Sequence, residues 1–227
     1  MNAILNPAPP ALDPELLEKL SRVSFPTLGH YLEEGFTEPA LRREVGTQRV
    51  LGRAMTVRTT ATDSTMLHHA ASDLQPGDVL VVDTGGDRRH APVGLVLAAT
   101  ALARGASGII VDGVITDVDE IAELGLTVYA HGRSMLTTKL HGINAGGVNV
   151  PVVIGGVGVM PGDIVLADAN GVMFAAASVL SAIIDTALAD DLEEPDLIAA
   201  IRAGARLGDE TGASATALRL AAGTNDE

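Results

Sequence analysis

The chain has no cysteine and no tryptophan, and its aromatic residues are three Phe and two Tyr in 227 positions. Without cysteine there is no disulfide, no thiolate nucleophile and no Cys-based zinc site. Without aromatic platforms, a site that stacks nucleic-acid bases is not expected. Positive charge is also scarce: 15 Lys and Arg stand against 29 Asp and Glu, a formal net charge of −14. That balance opposes binding to phosphate backbones and anionic membranes, and fits an acidic, solvated surface. A basic protein partner is compatible with it but not implied. No apolar run approaches the length of a membrane span, and the N-terminus lacks a basic segment followed by an apolar one. The expectation is a soluble cytoplasmic protein.

What is abundant is Ala, Val, Leu and Ile, within a hydrophobic fraction of 47%. This is enough for a full core, in one large domain or two small ones. No linker divides the chain. The most informative stretch is 78–120. Two apolar runs, Asp78–Asp83 and Gly108–Asp112, are long enough for buried strands and too short for helices. An Ala/Leu segment at 93–104 lies between them, apolar on nearly every face, and reads as a buried helix. A strand–helix–strand unit brings strand C-termini to one edge, where small ligands bind. Carboxylates follow both strands there: Asp83 and Asp87, then Asp112, Asp117 and Asp119.

Elsewhere, residues 1–12 are Pro-rich and read as a flexible arm. Asp13-Pro14-Glu15 opens a helix with a capping acid and a first-turn proline. A short helix is expected over 27–34, a strand over 48–60 broken near Gly52, and a helix from Asp63 to Asp73. A helix over 117–124 ends at Gly125, and a strand covers 127–130. Short β runs fill 148–176, with a hairpin turn at Asp168-Ala169-Asn170-Gly171. Two helices, 178–189 and 195–207, precede a fraying tail at 208–227. Pro-Gly-Asp occurs at 76–78 and 161–163, read as one turn chemistry used twice.

Several positions carry chemistry. Asp117, just past a buried strand, reads either as a helix N-cap or as a lone carboxylate holding a hydrated magnesium ion. Free amides at Gly94, Leu95, Val96 and Leu97 suit a carboxylate or phosphate, or Gly94 merely permits a turn. Arg88, Arg89 and His90 form the one tight cationic cluster near the acids: an anion site or an acid/base group, or else a solvated loop or a pairing across a subunit interface. His68 and His69 are adjacent, so at most one of them faces a site. Gly155-Gly156-Val157-Gly158 is not followed by a helix and fails as a dinucleotide loop.

An ordered series joins these pieces: GRAMTV at 52–57, PGDVLVVDTGGD at 76–87, GLVLAATALARGASGIIVDGVITDVDEI at 94–121 and VNVPVVIGGVGVMPGDIVLADANGV at 148–172. In this series the chain resembles the RraA-like family over about residues 15–207. That family includes regulators of ribonuclease E and divalent-metal pyruvate aldolases, which cleave 4-hydroxy-4-methyl-2-oxoglutarate and related acids and decarboxylate oxaloacetate. The resemblance implies an α/β chain with a β/β/α swivelling-domain fold. It implies one domain at 13–207, assembly as a homotrimer or hexamer, and active sites between subunits. It also implies Mg²⁺ or Mn²⁺ as cofactor and a small oxo-acid substrate.

In the aldolases an Arg-Asp pair follows the second strand, Arg binding the pyruvyl carboxylate and Asp the metal. Here the pair is Thr116-Asp117. A Gly-acid pair opens the buried helix in the family, and here it is Gly94-Leu95. Asp117 is therefore the implied metal residue, while Thr116 and Leu95 stand at catalytic positions. Threonine cannot make a bidentate clamp, and leucine cannot move a proton. Losing such a clamp costs about 1.5–3 kcal/mol, and losing a positioned acid/base about 10²–10⁴ in rate. Arg88, Arg89 or His90 would have to compensate, and Glu193 or Glu194 would correspond to an acid lent by a neighbouring subunit. The function read from this is a metal-dependent carbon–carbon lyase with an altered substrate. The alternatives are a non-catalytic protein-binding regulator, or a member recruited to a different lyase or isomerase reaction.

Overall fold

DVLVVD at 78–83 and GIIVD at 108–112 place side chains alternately on two faces, and both faces are apolar. A strand of that kind is stable only between two covering layers. The structure, a computed structural model that describes residues 2–223, is built in this way. In chain order its elements are β1 (Ile4–Leu5), α1 (Pro14–Arg22), α2 (Phe25–Leu28), β2 (Arg42–Val45), β3 (Val50–Arg58), α3 (Thr65–Asp73), β4 (Asp78–Asp83), α4 (Leu95–Ala103), β5 (Gly108–Asp112), α5 (Val118–Leu124), β6 (Val128–Ala130), β7 (Gly147–Val148), β8 (Val152–Ile154), β9 (Val157–Val159), β10 (Ile164–Asp168), β11 (Gly171–Ala175), α6 (Ala177–Arg202), α7 (Leu207–Glu210) and α8 (Ala213–Ala221).

β3, β4, β5 and β6 run parallel, joined by α3, α4 and α5, and β2 closes one side antiparallel to β6. Leu80, Val82, Ile109 and Val111 pack beneath Leu67, Ala98, Ala101 and Ile121 of the three crossover helices. Val79, Val81, Ile110 and Tyr129 point the other way, against Val152, Ile154 and Val159 of the β8–β9 hairpin. Each such buried Val, Leu or Ile contributes about 1.5–3 kcal/mol. The Tyr129 hydroxyl donates to the Asp168 carbonyl at 2.7 Å, and burial pushes its phenol up to about 12. A third cluster joins α1, α2 and α6 to β10 and β11 through Leu20, Leu28, Ile164, Leu166 and Ile184.

The local signals at Pro14, at the 168–171 hairpin and at the glycine stop of α5 hold. Asp13 accepts from the Glu15 amide at 3.0 Å, and Asp168 pairs with Gly171 across the turn. Both Pro-Gly-Asp turns use one device. Asp78 accepts from the Gln75 amide and Asp163 from the Met160 amide, each at 2.8 Å. Gly155 and Gly156, with φ +52° and +83°, form the β8–β9 turn.

Other expectations change. β3 is continuous through Gly52, and a Cβ there would collide with the Gly77 carbonyl. The glycine permits close strand approach rather than a break. The short helix begins at Phe25 and stops at Leu28. α6 is one helix of 26 residues that passes through Pro195. Strong helix formers on both sides outweigh the lost amide donor, a cost of about 3 kcal/mol. The segment after Gly208 holds the second half of α7 and all of α8, and residues 224–227 lie outside the described residues. The N-terminal arm is also held: β1 pairs parallel with β7, Asn6 Nδ2 donates to the Asn149 carbonyl at 2.9 Å, and Asn149 Nδ2 donates to the Asn6 carbonyl at 3.2 Å. Finally, α4 is buried on one side only, and Val96 is 76% exposed.

Candidate active site

Above the C-terminal ends of β3, β4 and β5 the connecting loops continue the ladder beyond the strands. Bridge pairs join Val93 to Ile115, Ile115 to Arg133, Ala91 to Thr137 and Asp63 to Lys139. This brings the first turn of α4, the loop before α5, the start of α3 and the 137–140 segment around one cavity of about 220 Å³. Gly94, Leu95, Val96, Leu97, Thr116 and Asp117 all line it. The sequence-derived core of the site is therefore one place.

Asp117 is the centre of its geometry. Its backbone is left-handed, φ +55° and ψ +41°, and its side chain makes no capping bond to α5. The N-cap alternative is therefore not what the carboxylate does. It turns toward the other helix: Oδ2 accepts from the Leu95 amide at 2.9 Å, and the Thr116 hydroxyl donates to Oδ1 at 3.1 Å. Gly94 makes this approach possible, because a Cβ there would lie 2.5 Å from Asp117 Oδ2 and 2.9 Å from Thr116 Cγ2. The first intrahelical bond of α4 runs from the Ala98 amide to the Gly94 carbonyl at 3.0 Å. The earlier amides of Val96 and Leu97 thus face outward at the positive end of the helix.

The donor set bears on a cation. Among the described residues no group of three or more His, Asp or Glu converges to form a metal cage. Asp117 offers one carboxylate, exposed, with each oxygen using one lone pair and keeping another. A single carboxylate with the rest of the shell left to water or ligand oxygens suits a hard, hydrated ion such as Mg²⁺ or Mn²⁺, and does not suit Zn²⁺. The residues present fit that group.

The remaining acids and cations of the sequence reading lie elsewhere. Asp112 is buried and accepts from His131 Nε2 at 2.8 Å and from the Arg88 guanidinium at 3.2 Å. Asp83 accepts from Arg58 Nε at 3.3 Å and the Gly85 amide at 2.7 Å. Asp87 accepts from the Arg89 and His90 amides at 2.9 and 2.7 Å, with His90 Nδ1 3.1 Å away. Burial opposes its ionisation, but these hydrogen bonds and the His90 ring hold its carboxyl below the usual range. Arg88, Arg89 and His90 do not line the Asp117 cavity. Glu193 and Glu194 line a separate cleft of about 530 Å³ with Asp190, Asp191 and His30.

Two more residues complete the lining. His68 reaches the cavity from α3 while the adjacent His69 does not, in keeping with their spacing, and Lys139, which the sequence reading missed, reaches it from the segment after β6. Lys139 is one of two lysines in the chain, which is the one signal pointing to it. Its Nζ donates to the Thr137 carbonyl and hydroxyl, both at 3.1 Å. Asp63 ties the two walls together. Its buried carboxylate accepts from the Thr65 hydroxyl at 2.6 Å, the Thr65 amide at 2.8 Å, the Ile143 amide at 2.6 Å and the His141 amide at 3.3 Å. Burial works against its charge, yet these donors hold the carboxyl below the ordinary range.

The chain is similar to several known proteins. A protein of Halalkalibacterium halodurans, provisionally named a 4-hydroxy-4-methyl-2-oxoglutarate aldolase, is 36% identical over 55% of this chain and 58% of its own length. The chain thus matches little more than half of that relative. A Xanthomonas campestris protein with the same provisional name is 38% identical over 64% of this chain and 86% of its own length. The crystal structure of RraAS2 of Streptomyces coelicolor, described as an unusual member of the RNase ES inhibitor RraA family, superposes with a TM-score of 0.71. It covers 84% of this chain and 98% of that one at 29% identity. No described helix is long and apolar enough to cross a membrane. With the RraA-like profile (Aldolase/RraA) matching residues 27–174 of this mixed α/β domain, the chain belongs to the RraA-like family.

Proposed function

We propose that the chain is a divalent-cation-dependent carbon–carbon lyase acting on a small 2-oxo acid, by aldol cleavage or decarboxylation. The observation that carries this reading is the Asp117 carboxylate, turned from its own helix onto the Leu95 amide at the floor of a cavity that also holds Lys139. The names of the aldolase relatives support it. When bound, Mg²⁺ or Mn²⁺ would supply Lewis-acid stabilisation of the charge that develops as a bond beside a 2-oxo acid breaks.

The chain's own residues do the rest. Asp117 holds the cation. The Val96 and Leu97 amides, at the positive end of α4, take the substrate carboxylate. Lys139 adds the full positive charge that Thr116 cannot provide, and Thr116 orients the Asp117 carboxylate. Within the 88–90 cluster, Arg88 and His90 hold Asp112 and Asp87. Arg89 has no side-chain partner among the described residues and is the member left to meet an anion. Val96 of the cavity lining is exposed, as are the apolar Met135 and Leu136 that immediately precede Thr137 of that lining. They support a trimeric or hexameric assembly in which a second copy closes the site.

The test is pyruvate release from 4-hydroxy-2-oxo acids and from oxaloacetate, with EDTA and after adding Mg²⁺ or Mn²⁺ back. Turnover that EDTA abolishes and the cation restores is expected. A second reading, a non-catalytic protein-binding regulator, draws on Leu95 and Thr116, which offer no acid and no guanidinium. Its naming parallel is RraAS2. No cation-dependent turnover on any of these acids would overturn the lyase reading in favour of this one.

A further inference from the structure

Three titratable side chains line the cavity: Asp117, Lys139 and His68. Two are committed. Asp117 is engaged by Leu95 and Thr116, and Lys139 Nζ by three oxygens of its own segment, Thr137 O, Thr137 Oγ1 and Thr138 O. The His68 imidazole has no hydrogen-bond or ion-pair partner among the described residues. Among the other histidines, His69 lies 3.7 Å from Asp73, His90 contacts Asp87 and His131 contacts Asp112, while His30 and His141, whose rings also lack a partner among the described residues, do not line this cavity. The backbone of His68 is nevertheless well fixed. Its amide donates to the Ser64 carbonyl at 2.9 Å, and its carbonyl accepts from the Ser72 hydroxyl at 3.0 Å. The buried Leu67, Ala70 and Ala71 anchor the same helix to the sheet. His69, one residue on, faces a different cavity beside Asn149 and the N-terminal arm.

A bond cleavage beside a 2-oxo acid needs a group that moves a proton. An imidazole without a partner, lining the cavity from a fixed helix, can both take up and give back a proton. We infer that His68 is the proton-carrying catalytic residue of this site. The inference rests on the lyase reading above. On a 4-hydroxy-2-oxo acid, a His68 ring nitrogen takes the proton of the C4 hydroxyl. The C3–C4 bond breaks, C4 becomes a carbonyl, and the electron pair of the broken bond passes to C3. The imidazolium then returns the same proton to C3. One substrate gives two carbonyl compounds, and no oxidant, reductant or co-reactant is consumed.

The experiment compares wild type, His68→Gln and the neighbouring control His69→Gln. It measures pyruvate release with Mg²⁺ across pH 5 to 9, and follows the His68 imidazole proton by NMR as pyruvate is added. His68→Gln is expected to lower kcat by about 10²–10⁴ and to remove the acidic limb of the pH profile. KM and pyruvate binding change little, and His69→Gln behaves as wild type. In the native protein the His68 resonance moves on pyruvate addition. Wild-type turnover that survives His68→Gln with an unchanged pH profile overturns the role of His68 alone, as does a resonance that stays still. A wild-type protein with no turnover at all overturns the lyase reading and this role with it.

Discussion

The Leu95 amide donates to Asp117 Oδ2 across 2.9 Å, a bond between residues 22 apart in sequence that joins the starts of two helices. This bond uses the first free amide of α4 and fixes the direction of the one carboxylate in the cavity. The left-handed backbone at Asp117 is part of the arrangement, since that conformation is uncommon for residues other than Gly, Asn and Asp.

Asp117→Asn keeps a residue that tolerates this backbone and keeps an acceptor for Leu95, but removes the charge. The protein should fold with little change in Tm and lose its uptake of Mn²⁺ in calorimetry. Uptake equal to wild type would remove Asp117 from the metal site.

Gly94→Ala would place a methyl group 2.5 Å from the Asp117 carboxylate. One of the two walls has to move. A destabilisation of about 1–3 kcal/mol is expected in urea unfolding, together with weaker Mn²⁺ binding. A variant with native stability and native binding would mean that the two helix starts are not held as close as described.

Lys139→Met removes the positive charge of the cavity while retaining length. The loss of a charged hydrogen bond, about 1.5–3 kcal/mol, should raise KM for an oxo acid about tenfold to a hundredfold with a smaller effect on kcat. An unchanged KM would place the substrate carboxylate elsewhere.

Asp63 gives a pH dependence. Its folded carboxyl titrates below its unfolded value of about 3.9, so the charged form favours the native state. The stabilisation is fully present above the unfolded value and is lost as pH falls through the folded one. Asp87 acts in the same direction. In Asp63→Asn, urea stability at pH 7 should be lower than in wild type, and the difference should shrink toward pH 3. A constant difference between the two pH values would show that Asp63 ionisation is not coupled to folding.

The arm is tested by Asn6→Ala. This change removes one half of the paired amide bonds with Asn149, which itself sits at φ +51°. A loss of about 1–3 kcal/mol is expected in thermal or urea unfolding. A neutral outcome would mean that the arm lies on the domain without bracing it.

What could be read from the residues alone was chemistry complete within a few positions. Asp13-Pro14 starts a helix, 168–171 closes a hairpin, and the two apolar runs at 78 and 108 become central strands. Gly94, Leu95 and Asp117 were also legible, through the resemblance and through their places after buried strands. What was not legible depends on distant partners. Gly52 looks like a strand breaker until Gly77 is seen against it. Asp117 looks like an N-cap until its carboxylate is found on another helix. His68 and Lys139 are 71 residues apart and share no pattern, and Asp63 joins their walls through amides at 141 and 143. Pro-rich composition at 1–12 suggested a loose segment, because nothing in it announces β7 or Asn149 as a partner.

The partners of β3 carry a kinetic consequence. Along one edge it meets β10, whose Ile164 lies opposite Arg53, and then β7, whose Val148 lies opposite Val57. Those pairings bridge 111 and 91 residues. Wide loops of this kind slow the search for the native arrangement. During synthesis that flank of β3 stays bare until the chain has grown past residue 168, offering unpaired amides and carbonyls to any other strand. Crowded expression should therefore favour clumping of unfinished chains, and slower translation or a holding chaperone should raise the yield.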